Sequence, residues 1–196
     1  MRLVGMLDSP YVRRVAVSLK RMGIAFEHES VSVFRHLERF RAINPVVKAP
    51  TLVAGDGTVL MDSSLILDYA ETLVPPARRL MPAEGPARLA ALHSIGVALA
   101  ACEKAVQIVY EKERRAVADG DWLARIRWQA LEGFDWMERE LAPAPAIDAV
   151  GITTACVWRF SQHSCGDEIP AARYPKLAAF SRRAEALPEF ASTPLD

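Results

Sequence analysis

The chain has 196 residues, 51% of them hydrophobic and 24% charged, the balance of a globular protein with length for one large domain or two small ones. Its 24 basic and 24 acidic side chains cancel, so it lacks the excess positive charge on which nucleic-acid binding depends. Taken in chain order, Arg2 to Met6 reads as a strand, and Ser9 with Pro10 as the cap and first residue of a helix carrying Val12, Val15, Ala16 and Leu19. Gly23 closes that helix. A second strand is expected over Ala25 to Val33, then a short helix from Arg35 to Ile43 with Leu37, Phe40 and Ile43 on one side. Pro50 to Val53 and Thr58 to Met61, joined through Ala54-Gly55-Asp56-Gly57, read as a hairpin. Asp62-Ser63-Ser64 then caps a helix carrying Leu65, Ile66, Tyr69, Ala70 and Leu73.

The segment V-P-P-A-R-R-L-M-P-A-E-G-P at 74–86 holds four prolines and continues neither helix nor strand, so it reads as a linker. Beyond it the pattern is helical throughout. One helix is expected from Pro86 to about Ala116, broken by Asp119-Gly120-Asp121. A second runs from Trp122 to Leu141, a third from near Asp148 through Trp158 towards His163, and a fourth follows Tyr174-Pro175. The division is therefore an α/β domain at 1–75, a linker at 76–85 and an all-helical bundle at 86–196. The richest apolar run, Ile95 to Cys102, ends at Glu103, far short of the ~18 residues of a membrane span. Asp8, Pro10, Arg13 and Arg14 break up the start, where a secretory leader would be apolar, and a soluble, cytoplasmic protein with no membrane partner is expected. The three cysteines and four histidines have neither thiol-pair nor H-E-x-x-H spacing, so no metal site is expected.

Four stretches together resemble the glutathione S-transferase family over essentially the whole chain. S-P-Y-V-R-R at 9–14 is similar to the catalytic-serine turn of bacterial members, and N-P-V-V-K-A-P-T-L at 44–52 to the segment whose last proline follows a cis peptide bond. M-D-S-S-L-I-L-D-Y at 61–69 resembles the acidic-Ser segment that binds the γ-glutamyl end of glutathione, and Y-P-K-L-A-A-F with L-P-E-F-A-S-T-P at 174–194 the family's final helix and ending. The resemblance implies a thioredoxin-like βαβα–ββα domain followed by a helical domain. It implies glutathione as co-substrate, transfer to an electrophilic small molecule, and a homodimer in which the first domain of one subunit packs on the helical domain of the other.

The chemistry of such a site can be stated for these residues. Glutathione's thiol must ionise to attack an electrophile, and a helix N-terminus with a hydroxyl donor stabilises a sulfur anion; Ser9 stands at such a helix start. Main-chain groups of Ala49, turned by a cis bond before Pro50, would pair with the cysteinyl unit like an added strand, and Lys48 would meet a ligand carboxylate. Ser63, at a second helix start, offers a hydroxyl and free N–H groups to the γ-glutamyl carboxylate, and Asp62 accepts from its ammonium. Each residue also has a plainer reading, as a cap for Ser9, Asp62 and Ser63 and as a solvated surface cation for Lys48. Tyr110, Trp158 and Phe160 are candidates for an electrophile pocket, with helical core packing as the competing role. Two departures from the family pattern stand out. Ala49 replaces the usual Val or Ile, and Gly151 replaces the acidic residue that would complete a capping box above Asp148, which leaves that helix's stability in question. An isomerase or dehalogenase acting through glutathione, and a non-catalytic carrier or interaction protein, are the alternatives. A thiol–disulfide exchanger is disfavoured because position 9 is serine, not cysteine.

Overall fold

The computed structural model describes residues 1–115 and 119–195, and these form two compact units. One comprises Met1–Ala83 together with the tail from Leu187 onward; the other is Glu84–Ala186.

The first unit holds β1 (Arg2–Val4), α1 (Pro10–Arg21), β2 (Glu27–Glu29), α2 (Leu37–Ile43), β3 (Thr51–Val53), β4 (Val59–Met61) and α3 (Ser63–Thr72). Its sheet has the order β2-β1-β3-β4, with β1 parallel to β2 and antiparallel to β3, and β3 antiparallel to β4. Alternation along β1 sorts the core into two layers. Leu3 belongs to the cluster of Val12, Val15 and Leu19 from α1 and Ile66 from α3, whereas Val4 belongs to that of Val31 and Phe40 from α2. This is the thioredoxin-like arrangement that the βαβα–ββα order implies.

The expected strands are all shorter than their patterns, β1 ending at Val4 and not Met6, and so is the short helix. Only Glu27–Glu29 of Ala25–Val33 pairs as strand, because Ser32 turns the chain away: its Oγ accepts from the backbone N–H groups of Phe34 and Arg35 at 3.2 and 3.1 Å. The short helix starts at Leu37, and of its three apolar residues only Phe40 is fully buried; Leu37 is exposed.

The second unit is a bundle of α4 (Gly85–Glu113), α5 (Gly120–Glu140), α6 (Ala149–Ser164) and α7 (Pro175–Glu185). The expected helix end at Ala116 lies outside the described residues. By length and composition alone α4 passes as a membrane span, but it packs along α5 and α6, and a bundle's central helix meets the same test. A Cβ on Gly133 of α5 would lie 2.7 Å from the Ala101 methyl, so glycine is what lets α4 and α5 approach this closely. Phe134, Trp158 and Tyr174 meet edge-on or tilted, with ring centroids 5.7–6.0 Å apart, at the centre of the bundle. Asp148 caps α6, its Oδ1 accepting from Val150 N and Gly151 N at 3.0 and 2.9 Å.

The tail corrects the assignment of residues 86–196 to a single helical domain. After α7 the chain forms one more short helix, α8 (Pro188–Ala191), and packs on α1 of the first unit. The reason is a buried cation. Arg13 is 1% exposed, donates from Nε to the Thr193 carbonyl at 2.8 Å, and lies 5.7 Å over the Phe190 ring. Arg21, two turns further along α1, pairs with Glu189 at 3.0 Å. A buried guanidinium without acceptors would be costly, and the tail's free carbonyls provide them.

Candidate functional site

Every candidate for contact with glutathione lies on the first unit, and three local devices position them. The first is the start of α1. Ser9 Oγ accepts from Val12 N at 3.4 Å, a long bond, so the hydroxyl is only weakly committed to capping and its proton remains available. Gly5 brings this helix start against the next device. With φ of +138° it takes a conformation that L-residues avoid, and a Cβ there would meet Val12 Cγ2 at 2.6 Å and Ala49 Cβ at 3.3 Å. The first turn of α1 and the chain at Ala49 are thereby neighbours.

The second device is the turn before β3. The Ala49–Pro50 peptide is cis. Asn44, 1% exposed, donates from Nδ2 to Thr51 Oγ1 at 2.9 Å and accepts at Oδ1 from Val46 N at 3.0 Å. Thr51 in turn donates to the Lys48 carbonyl at 2.7 Å. These bonds hold Val47 at a φ of +53°, unusual for a β-branched side chain. The Lys48 side chain is exposed.

The third device is the start of α3. Asp62, at φ +69°, caps the helix by accepting from Ser64 N at 2.8 Å, and Ser63 behind it is 2% exposed. Arg14, itself buried, donates to Ser63 Oγ at 2.9 Å and to Ser64 Oγ at 3.2 Å. A serine oxygen that accepts from a guanidinium keeps its own proton to donate, and the cation beside it favours an anionic partner. Val47 and Asp62 are the two non-glycine residues with positive φ among the described residues, and each directly precedes a candidate contact. Strain of this kind is kept where surrounding bonds over-determine it, as happens at ligand clamps.

Sequence reasoning missed Asn44, Arg13 and Arg14, although all three lie inside the motifs it quoted. The signal available was two adjacent arginines within a helix of otherwise buried spacing, where at least one must enter the core and find acceptors.

The three aromatic candidates lie on the second unit and separate. Trp158 and Phe160 are 3% and 8% exposed, and Trp158 is engaged with Phe134 and Tyr174, so both take the core role; Tyr110 is exposed. Cys102, Cys156 and Cys165 are all buried. Burial pushes the Cys165 thiol up to about 12, with the carboxylates of Asp167 and Glu168 adding to the effect, so it is protonated and inert near neutral pH. Among the described residues no three His, Cys, Asp or Glu side chains gather as a metal site would require.

Comparison with known proteins adds three findings. Residues 3–78 match the family model described as glutathione S-transferase, N-terminal domain. A glutathione transferase family member from Pseudomonas fluorescens Pf-5, solved with bound glutathione, superposes with a TM-score of 0.89 at 27% identity, covering 100% of this chain and 98% of that one. The first unit is thus similar to the N-terminal domain of glutathione S-transferases, and the likeness in fold to solved members extends over the whole chain. Another member, from Methylobacterium radiotolerans in complex with glutathione sulfonate, gives a TM-score of 0.90 at 28% identity over 100% of this chain and 95% of that one. Among curated sequences, the uncharacterized GST-like protein YibF of Escherichia coli (strain K12) is 36% identical over 78 residues, a stretch spanning 39% of each chain.

Proposed function

We propose that the chain is a glutathione transferase that binds glutathione on its first unit and holds its sulfur as the thiolate for attack on an electrophilic, largely apolar small molecule. The observation that carries this is the cis Ala49–Pro50 turn packed, through Gly5, against the helix start that bears Ser9. Main-chain groups of Ala49 and the Ser9 hydroxyl then serve adjacent parts of one ligand, the cysteinyl backbone and its sulfur. Ser63, primed by Arg14, donates to the γ-glutamyl carboxylate, Asp62 accepts from the ammonium, and Lys48 meets the far carboxylate. The Pseudomonas and Methylobacterium relatives, solved with glutathione and its sulfonate, support the choice of ligand. The role of Pro50 is to orient Ala49; of the three aromatic candidates for the electrophile, Tyr110 is the exposed one.

Calorimetry with glutathione followed by turnover of a panel of aryl halides, epoxides and enones tests the reading. One-site binding with turnover is expected. Binding without turnover on any electrophile, isomerisable substrate or organohalide would indicate a carrier, and absence of binding an interaction protein.

The cytoplasmic homodimer belongs to the same proposal. On α4, Leu89 and Leu92 are 70% and 50% exposed, and Gly96 and Ala100 continue the same face, leaving an apolar stripe towards solvent. A two-fold contact would use that stripe on both copies. Light scattering should give twice the 21.6 kDa of one chain, and Leu89→Glu with Leu92→Glu should halve the mass. A wild-type mass of one chain at micromolar concentration would refute the dimer.

A further inference from the structure

Arg13 is attached at both ends, to the start of α1 by its backbone and to the returning tail by its side chain. Its backbone N–H donates to the Ser9 carbonyl at 2.9 Å, the bond that closes the first turn of α1. The residue is 1% exposed, and its guanidinium runs to the tail. There Nε donates to the Thr193 carbonyl at 2.8 Å and Nη2, more weakly, to the Phe190 carbonyl at 3.4 Å, with the Phe190 ring 5.7 Å away.

The tail end of this link is stiff. Phe190 and Thr193 are both buried. Thr193 N donates to the Phe190 carbonyl at 3.0 Å, and the Thr193 hydroxyl lies 3.0 and 3.1 Å from the Glu189 and Phe190 carbonyls. Glu189 is in turn paired with Arg21. The tail therefore grips α1 at Arg13 and again about two turns later, which opposes both sliding and rotation of the helix.

The Ser9 end is soft. A cap bond of 3.4 Å from Val12 N is too long to fix the hydroxyl by itself. The hydroxyl then goes where the first turn goes, and the first turn is tied through Arg13 to the tail. Hydrogen bonds weaken steeply with misalignment, so a small displacement here would be felt at an anion that Ser9 serves.

We propose that Arg13 is a positioning residue that acts through Ser9, with the docked tail as its anchor: the Thr193 and Phe190 carbonyls hold the first turn of α1 so that the Ser9 hydroxyl meets the sulfur of glutathione. This rests on the proposed function, in which Ser9 donates to that sulfur.

The test is a pH titration of the bound thiolate, followed by its ultraviolet absorbance in the glutathione complex of the full chain. Arg13→Met should raise the bound thiol's pKa by roughly 0.5–1 unit and lower kcat/KM near neutral pH about three- to tenfold, with KM for glutathione changed less than about twofold. On a Ser9→Ala background the same substitution should add only roughly 0.2 unit or less, because a residue that acts through the hydroxyl has nothing left to position. A direct attraction between guanidinium and sulfur would survive loss of the hydroxyl, so equal shifts in the two backgrounds would overturn the proposal. Phe190→Leu keeps an apolar side chain in the core and leaves the Arg13 charge in place; it should shift the pKa the same way by a smaller amount, and it carries the test if Arg13→Met does not fold. An unmoved pKa in either folded variant would overturn the link. A wild-type chain that binds no glutathione, or binds it without a thiolate near neutral pH, would remove the proposed function and this inference with it.

Discussion

Gly151→Ala is expected to destabilise the helical unit by about 2 kcal/mol or more, although alanine is the better helix former. At an open helical position the exchange would gain up to ~1 kcal/mol. At residue 151 the new Cβ would lie 2.0 Å from the Ala146 carbonyl oxygen and 3.1 Å from its carbon, both backbone atoms that no rotamer change can clear. Overpacking of a tight interior costs roughly 1–3 kcal/mol and more when backbone must shift, so the clash outweighs the propensity gain. All four tryptophans, Trp122, Trp128, Trp136 and Trp158, lie within Glu84–Ala186, so tryptophan fluorescence, excited selectively over tyrosine, reads this unit during urea unfolding. The midpoint should fall for Gly151→Ala and hold or rise for Gly120→Ala, where nothing lies within 4 Å of the added methyl. An unchanged midpoint in Gly151→Ala would show that the chain at Ala146 yields freely.

This geometry also answers the question raised by the missing capping-box acid. The backbone before α6 fills the space where a side chain at 151 would sit, and Asp148 takes the Gly151 N–H itself at 2.9 Å. The helix start is satisfied by one carboxylate and a close backbone approach in place of a reciprocal pair.

Ser9→Ala is expected to slow conjugation about 10- to 150-fold while leaving the fold intact. A hydrogen bond to a charged group contributes about 1.5–3 kcal/mol, and each 1.36 kcal/mol is a factor of ten or one pKa unit. The structural cost is small because the bond from Val12 N to Ser9 Oγ is long at 3.4 Å, placing the cap at the weak end of its ~0.5–2 kcal/mol range. The sign of the pH effect follows from the anion. Under the proposed function the hydroxyl favours the thiolate, so its removal should raise the bound thiol's pKa and move the rising limb of the rate one to two pH units upward. Because only ionisation is affected, the deficit should narrow at high pH. A pH–rate profile that overlays the wild type would remove Ser9 from the reaction and leave it as a cap.

The sequence by itself determined the elements whose signals are local. Ser9-Pro10 and Gly23 bracket α1 within a residue, because capping hydroxyls, a proline at the first position and a left-handed glycine act on their immediate neighbours. Asp62 and Asp148 cap the helices that their positions announce. The βαβα–ββα order and the hairpin were legible in patterns confined to a few residues, whereas the cis bond at Ala49–Pro50 was expected only from the resemblance of residues 44–52 to a family segment. What only the tertiary structure decided involves groups far apart in the chain. Nothing near Ser32 announces that its hydroxyl ends the β2 pattern early, and nothing near Leu187 says that the tail leaves the helical unit. That return is dictated by the burial of Arg13 some 180 residues away, which needs the Thr193 carbonyl. The same holds for Arg14 reaching Ser63 across 49 residues and for Ala146 crowding Gly151. A buried charge or a close backbone contact is satisfied by whatever the fold brings to it, and one-dimensional periodicity records that a residue is buried but not what it meets.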